Sequence, residues 1–372
     1  MKKILLLLVA VFAFISNINA QTWNMVVTHK DGTVQIIKAS DVKNVTFQLP
    51  DQNADQVIIK ELYTTGVPIE NDPKNFFQMD KGFILYNNGG KTAVISNLAI
   101  GILDPYNAHS VANAWYGTGA TEPSYVSQGW VPAACGIWYF PNSLIIEPYS
   151  QVVISCMGAI DNTKTYPQSI NYANKDYYTM YDPESGFKNP KYYPTPADVI
   201  PTSQYLKAVE YGQANAWPLS VTSPGFFIFQ TKNTTPAAFA NDASNITYAP
   251  GKAQNKINAV LKVPTDWIID GVEVYEKINE SKSKKRFGSD VDAGYVMQTV
   301  KLGHSVYRNV DVEATKKIEG NTAKLVYNYQ YGADPSHIDA EASMKNGAKI
   351  VYMDTNNSTS DFHERKQFSL RD

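Results

Sequence analysis

The sequence predicts a mainly β protein whose strands pack as a β-sandwich. Short runs rich in β-branched and aromatic residues recur along the chain, for example at 57–63, 83–86 and 267–275. Turn signals rich in Gly, Pro and Asn separate these runs, as at 87–90. Helical periodicity is scarce, and we expect one two-turn helix at 203–211. Many short strands with this punctuation are typical of β-sandwiches.

The composition is that of an ordinary globular protein. The 372 residues include 33 basic and 35 acidic side chains, for a net charge of -2, and 44% of all residues are hydrophobic. The hydrophobic content and the 18% of charged residues exclude a disordered acidic or basic protein, and the near balance of signs gives no electrostatic footprint for nucleic acid. Two cysteines are too few for a disulfide framework or a Cys-based zinc cluster. We expect no cofactor.

Residues 1–20 have the three parts of a secretory signal peptide. Lys2 and Lys3 begin the chain, an apolar run follows at 4–15, and Ala20 offers a cleavage site before Gln21. The apolar run is shorter than the roughly 20 residues of a membrane anchor. We therefore expect export to the periplasm, the outer-membrane surface or the medium, with no transmembrane segment left after cleavage.

Residues 21–50 are predicted to form a separate small β module. Alternating apolar residues flank Asp31-Gly32, which is a strong hairpin turn signal, and a third apolar stretch follows at 42–47. About 25 residues of sheet are not stable alone. The sandwich domain is expected to occupy the remaining residues, 51–372.

Two further features of the sandwich domain are predicted from local patterns. Residues 144–147 and 152–154 flank a Pro-Tyr-Ser turn and are expected to pair as a hairpin. The Asp270-Gly271 pair interrupts an apolar strand, which indicates a β-bulge.

Three stretches are too long to be simple turns, at about 104–135, 158–224 and 277–345. Loops of this length in compact domains are usually functional or disordered. The first two are rich in aromatic residues, which either pack the insertions onto the sandwich or offer flat faces to a ligand. The candidate ligand-binding residues are Trp115, Tyr116, Trp130, Tyr177, Tyr178 and Tyr181.

Seven segments occur in an order that resembles the lamin-tail domain and, more closely, a family of unknown function among secreted proteins of Gram-negative anaerobes. The segments are 57–63, 83–88, 138–141, 146–154, 267–274, 303–308 and 354–362. The resemblance implies an immunoglobulin-like, lamin-tail-like sandwich enlarged by insertions. Ile84 stands where that family usually has an acidic residue. The resemblance transfers no catalytic residues, because none are established for the family.

No catalytic or metal motif stands out in the sequence. The five histidines lack the spacing of a zinc site, and Gly303-His304-Ser305 lacks the second glycine of a nucleophile elbow. The segment from Asp354 departs from an EF-hand, so Asp354 and Asp361 are only weak candidates for a non-EF calcium site. No catalytic residue is assigned.

The two cysteines are a possible disulfide. Export to an oxidising compartment would permit a bridge between Cys135 and Cys156. The bridge would close a loop worth about 3 kcal/mol in the chain-entropy model. The alternative is two small buried hydrophobic side chains in neighbouring strands.

These observations favour a secreted, non-enzymatic binding or structural module of the cell envelope. Its role would be adhesion, ligand capture or assembly of a surface complex, with an unidentified envelope protein or glycan as its partner. The alternative is a hydrolase acting on glycans, with a carboxylate site that forms only in three dimensions.

Overall fold

The computed structural model describes residues 23–43, 45, 50–70, 72–110 and 113–371. The predicted signal peptide at 1–20 and part of the third apolar stretch at 42–47 lie outside these residues. The chain divides into two compact units, with the boundary between Gln48 and Leu49.

The described residues form short strands and still shorter helices. The strands are β1 (Asn24–Thr28), β2 (Val34–Lys38), β3 (Val57–Tyr63), β4 (Val67–Ile69), β5 (Asp72–Phe77), β6 (Gly82–Asn87), β7 (Ala93–Ile95), β8 (Leu98–Ile102), β9 (Trp130–Ala134), β10 (Gly136–Tyr139), β11 (Leu144–Ile146), β12 (Gln151–Ser155), β13 (Tyr178–Met180), β14 (Tyr205–Glu210), β15 (Gly225–Gln230), β16 (Ile246–Tyr248), β17 (Ala259–Pro264), β18 (Ile268–Glu276), β19 (Val296–Gln298), β20 (Ser305–Arg308) and β21 (Phe362–Arg365). The α-helices are α1 (Pro236–Asn241), α2 (Val312–Lys317), α3 (Ala340–Lys345) and α4 (Ser358–Asp361). No helix in this part of the chain has the length and apolar character that a membrane crossing requires.

The first unit contains the predicted hairpin. Strands β1 and β2 pair antiparallel, with Asn24 opposite Lys38 and Thr28 opposite Val34. Gly32 has a φ of 85°, a conformation that side chains other than glycine rarely adopt. The Asp31 carboxylate accepts hydrogen bonds from the Thr33 amide and hydroxyl, which fixes the turn.

The second unit is organised around a sheet of twelve strands in the order β19-β18-β15-β8-β10-β14-β13-β12-β6-β3-β20-β21. Most neighbours pair antiparallel, whereas β18–β19, β12–β13 and β13–β14 pair parallel. Strand β13 therefore joins two six-stranded halves, β19 to β14 and β13 to β21. The prediction of a mainly β protein is confirmed.

The two halves of the sheet face each other across one apolar core. Phe83 on β6 lies with its ring centroid 4.9 Å from that of Phe226 on β15. Ile100 on β8 and Leu85 on β6 are fully buried in the same cluster. This arrangement has two facing layers, but the immunoglobulin-like topology implied by the resemblance stays a prediction.

The two ends of the sheet meet along a line that we call the seam, where β18 and β19 lie beside β3, β20 and β21. Side chains, rather than a backbone ladder, connect the strands here. The carboxylate of Asp270 on β18 accepts a hydrogen bond from the Ile59 amide on β3 at 2.6 Å. Arg308 on β20 binds that same carboxylate and donates from Nε to the Ile59 carbonyl. The seam is thus closed by buried charged groups.

Two local predictions are wrong. Residues 144–147 and 152–154 do not pair with each other, because β11 pairs with β7 and β12 pairs with β6. The expected helix at 203–211 is a short 3-10 turn followed by β14, because parallel pairing with β13 and antiparallel pairing with β10 override the local helical pattern.

The predicted bulge lies close to where the sequence placed it. The register of β18 against β15 shifts between Ile228, opposite Asp270, and Phe229, opposite Ile268. The extra residue is therefore Ile269, next to the Asp270-Gly271 pair. Asp270 lies beside this bulge, and its carboxylate accepts a hydrogen bond at the seam.

Candidate functional site

A large cavity of the second unit opens at the seam, between β19 and β21. We call it the seam cleft, and its volume is about 770 Å³. Strand ends build its polar side: Lys277 follows β18, Thr299 follows β19, His304 precedes β20 and Glu364 lies in β21. Because the ends of four strands converge here, residues distant in the sequence share one wall.

Glu364 is the fixed centre of this wall. Its carboxylate accepts hydrogen bonds from the Thr299 amide at 2.5 Å and from Lys277 Nζ, and its Oε1 lies 2.8 Å from His304 Nδ1. Burial disfavours the ionised carboxylate, but the hydrogen bonds from His304, Lys277 and Thr299 outweigh burial and lower the pKa of Glu364 to about 2. Glu364 is therefore a constant negative charge near neutral pH.

His304 is oriented by this carboxylate. With Nδ1 directed at Glu364, Nε2 has no hydrogen-bond partner among the described residues, and 18% of the side chain is exposed. A carboxylate partner on one ring nitrogen fixes the orientation of the imidazole. His304 Nε2 can therefore form a hydrogen bond with a bound molecule at the surface of the cleft.

His363 lines the same cleft and has a different role. Its Nδ1 lies 2.7 Å from Asn309 Oδ1, and its Nε2 lies 2.9 Å from the Tyr329 hydroxyl. Burial, together with the nearby Arg365 guanidinium, lowers the pKa of His363 to about 3. Its imidazole is neutral and fully engaged, so it supports the floor of the cleft.

The remaining lining combines apolar surface with positive charge. Met297 and Phe362 contribute apolar surface, and Tyr295 stacks on Tyr275 with ring centroids 4.1 Å apart. Lys366 is exposed at the rim. Glu364 is the single carboxylate among the described lining residues, which also include the two lysines. The cleft is therefore apolar inside, with the Lys277–Glu364 ion pair and the exposed Lys366 at its edge.

The first group of predicted ligand-binding aromatic residues packs around the loop at 113–130. Trp115 is buried, and its ring meets Trp130 edge-on at 5.6 Å. The Trp115 indole donates to Asp104, and the Tyr116 hydroxyl donates to the Lys285 carbonyl at 2.5 Å. These contacts hold the insertion onto the sheet.

The second group lies in three separate ring pairs. Tyr177 packs near Tyr172, Tyr178 meets Phe140 edge-on at 5.3 Å, and Tyr181 meets Tyr205 edge-on at 5.5 Å. All three tyrosines are half-buried. None of the six predicted aromatic residues lines the seam cleft. Their role in binding stays a prediction, and the contacts place them in packing groups.

The weak calcium candidates do converge, but on a guanidinium group. Arg308 Nη1 lies 3.1 Å from Asp354 Oδ1 and 3.6 Å from Asp361 Oδ2. Asp361 also accepts hydrogen bonds from Thr355. The positive charge that these carboxylates balance is therefore that of Arg308. Within the described residues, no group of three or more His, Cys, Asp or Glu is arranged to hold a metal ion.

The possible disulfide is not formed. Cys135 and Cys156 are free thiols, the first half-buried and the second buried. Burial raises the pKa of Cys135 to about 11, and that of Cys156 is raised further. Both cysteines pack against the main apolar core, as small hydrophobic side chains do. They do not lie in neighbouring strands as the alternative expected, because Cys135 stands between β9 and β10 and Cys156 follows β12.

The sequence did not predict the polar wall of the seam cleft. His304 and Glu364 belong to no local motif, and 35 acidic residues make chance pairings common. One usable signal was present in the strands themselves. Charged residues interrupt apolar runs at Glu61, Asp270, Glu273 and Arg308, and such residues are rarely buried unless they are paired.

Comparison with protein families gives one match, over residues 147–324, to the family described as "Protein of unknown function (DUF4876)". No curated protein matches this chain. A crystal structure of a DUF4876 family protein from Bacteroides thetaiotaomicron VPI-5482 has a similar fold, with a TM-score of 0.58 and 20% sequence identity. The similarity covers 91% of this chain and 80% of that one. Over residues 147–324 the chain is therefore similar to a family whose function is unknown.

Proposed function

We propose that this chain is an exported, non-enzymatic binding module of the cell envelope, and that the seam cleft holds its ligand. The observation that carries the proposal is the cleft itself, an apolar cavity of about 770 Å³ with a small number of fixed polar groups. Cavities of roughly 300–1,000 Å³ with such linings are typical of ligand sites. The facing halves of the sheet would be the lamin-tail-like part of the molecule.

The electrostatics of the cleft favour binding over hydrolysis by paired carboxylates. Glycoside hydrolysis usually needs one carboxylic acid that is protonated and a second carboxylate. Glu364 is the single carboxylate among the described lining residues, and the lowered pKa of its carboxyl keeps it ionised. A permanently charged, hydrogen-bonded carboxylate serves to position Lys277 and His304 rather than to donate a proton.

The same lining indicates the chemistry of the ligand. Lys366 favours a negatively charged group at the rim, while Met297 and Phe362 favour an apolar body inside. We propose an acidic component of the envelope, carried by a protein or a glycan, as the partner.

A pair of charge-introducing variants tests this site. Met297 is 37% exposed inside the cleft, and Ile278 is 82% exposed and does not line it. Met297→Glu should abolish binding to isolated envelope fractions and to an array of acidic glycans, because it places a negative charge where the ligand enters. Ile278→Glu adds the same charge elsewhere and should bind like the unmodified protein. Equal binding by both variants would exclude the seam cleft as the site.

Export rests on the signal-peptide pattern and is tested separately. The mature protein from native envelopes should begin at Gln21, because cleavage is expected after Ala20. N-terminal sequencing decides this. A mature chain that retains residues 4–15 would contradict export by this signal.

The second candidate function is hydrolysis of glycans, and the His304–Glu364 pair is the observation that favours it. A carboxylate-oriented imidazole can activate a water molecule. A panel of chromogenic glycosides, assayed with the unmodified protein and with His304→Gln, separates the two functions. Turnover that His304→Gln removes would replace the binding proposal with an enzymatic one.

A further inference from the structure

A second cavity of about 450 Å³ lies apart from the seam cleft, among loops at the ends of β6, β8, β12 and β15. We call it the loop cleft. It is lined by amide, hydroxyl and aromatic groups together with one buried lysine. Its polar lining includes Gln78, Lys81, Tyr106, Asn107, Tyr192 and Asn215.

Lys81 is the charged group of this cleft. The residue is 4% exposed, and Leu219 O, at 2.5 Å from Nζ, is its one hydrogen-bond acceptor among the described residues. An ammonium group carries three N–H donors, and unpaired donors at a buried site are costly. Burial lowers the pKa of Lys81 to about 8, although Cys156 and Asp80 oppose this shift. A ligand with acceptor oxygens would meet the remaining donors.

The wall around Leu219, whose carbonyl accepts from Lys81, is held rigid by its own hydrogen bonds. Asn107 Oδ1 accepts from the Ser220 hydroxyl at 2.5 Å and from the Thr222 hydroxyl at 2.9 Å. The Ser220 hydroxyl in turn accepts from the Thr222 and Ser223 amides. Gln298 donates to the carbonyls of the same loop. The wall is therefore organised before any ligand binds, which lowers the entropy cost of binding.

Several polar groups on this cleft have no hydrogen-bond partner within the described part of the chain. They are the side-chain amides of Gln78 and Asn215, the Nδ2 group of Asn107, and the hydroxyls of Tyr106 and Tyr192. Tyr106 is 48% exposed, so its ring face is open to a ligand. Amides and hydroxyls match the hydroxyl groups of a sugar, and an open aromatic face matches its ring.

From this arrangement we infer that the loop cleft binds a sugar acid. Lys81 pairs with the carboxylate of the sugar acid, and the free side-chain amides hydrogen-bond its ring hydroxyls. Tyr106 stacks on the face of the sugar ring. The site is separate from the seam cleft, since no residue lines both. Its occupancy therefore does not depend on the function proposed for the seam cleft.

The test is an NMR titration of the mature protein with glucuronate, and with glucose and acetate as matched probes. Glucuronate should bind at least tenfold more tightly than either, because only glucuronate combines the carboxylate with the ring hydroxyls. Lys81→Met should raise the Kd for glucuronate at least tenfold. Tyr106→Ala, at an exposed side chain that the fold does not need, should raise the Kd for both sugars. Ile278→Glu, at an exposed side chain that lines neither cleft, is the control and should change neither.

Three results would overturn this inference. They are equal affinity for glucuronate and glucose, equal affinity for glucuronate and acetate, and unchanged affinity in both Tyr106→Ala and a folded Lys81→Met. If Lys81→Met does not fold, Tyr106→Ala decides, because its thermal melt should match that of the unmodified protein.

Discussion

The centre of the large sheet and its seam hold neighbouring strands together by different means. At the centre, β15 pairs with β8 residue by residue, from Phe226 opposite Ile102 to Gln230 opposite Leu98, and the side chains in between are apolar. At the seam, Asp270 and Glu364 accept hydrogen bonds from the backbone amides of Ile59 and Thr299. At the seam, where backbone pairing between strands ends, carboxylates therefore accept the amide hydrogen bonds that strand carbonyls accept at the centre.

This difference implies that the two regions respond to different kinds of substitution. At the centre, the free energy of unfolding should depend on the volume removed, because packing supplies the stability. At the seam it should depend on charge, because a buried ion left without its partner is strongly destabilising. Substitutions that remove side-chain charge at nearly constant volume, or remove volume without changing charge, test this comparison.

The largest effect is expected for Arg308→Met, which nearly preserves volume and removes the charge. Arg308 is 1% exposed and faces Asp270, Asp354 and Asp361. Leaving these carboxylates without a cation should cost about 3–5 kcal/mol of unfolding free energy, measured by urea denaturation. Burial raises the pKa of Asp270 to about 6 even with Arg308 present, so the loss should be largest above that pH.

Two variants control this measurement. Ile100→Val at the centre of the sheet removes one methylene group from a fully buried side chain and should cost about 0.5–1.5 kcal/mol. Arg308→Met combined with Asp270→Asn should recover part of the loss, because Asn keeps an acceptor for the Ile59 amide without the charge. A cost for Arg308→Met no larger than that of Ile100→Val would remove the distinction between the two regions.

The second effect is acid sensitivity of the seam through His363. Its pKa is lowered from 6.5 to about 3 by burial and by Arg365, so the folded state favours the neutral ring. The resulting stability is present above about pH 6.5 and is lost as the pH falls towards 3, by about 3 kcal/mol between pH 7 and pH 4.

The comparison variant is His363→Gln, which cannot titrate. Asp270 and Glu61 have raised pKa values and act in the opposite direction, so the difference between the two proteins is the informative quantity. Denaturation at pH 7 and pH 4 should show a larger loss in the unmodified protein. Parallel pH profiles would mean that His363 does not contribute to acid sensitivity.

The same contrast explains how much could be predicted from the sequence. The strand at 57–63 was located residue for residue, and the hairpin turn at Asp31-Gly32 was correct, because apolar runs and turn residues are local signals. The strand at 267–275 was displaced by one residue. The seam was missed because its partners, such as Asp270 and Arg308, come from separate strands. A charged residue within an apolar strand indicates a buried pair without naming its partner.

A third, smaller effect concerns the aromatic insertion. Tyr178 begins β13, the strand that joins the two halves of the sheet, and its ring packs edge-on against Phe140. Because the side chain is half-buried, Tyr178→Ala should cost about 2 kcal/mol, less than a fully buried aromatic residue. A thermal melt measures this. An unchanged melt together with lost binding to acidic glycans would instead favour the aromatic residues as a ligand platform.

The smallest effect is expected at the rim of the seam, for Lys277→Met. Lys277 hydrogen-bonds Glu364, but its side chain is 48% exposed, so water already screens the ion pair. Exposed pairs contribute about 0–1 kcal/mol, and Glu364 keeps its bonds to Thr299 and His304. The variant's free energy of unfolding in urea should therefore lie within about 1 kcal/mol of that of the unmodified protein.

A loss as large as that of Arg308→Met would mean that charge controls stability along the whole seam, including its exposed edge. A small loss instead means that the cost of removing a charge falls as solvent reaches the seam, and that Lys277 can be replaced to test ligand binding without disturbing the fold.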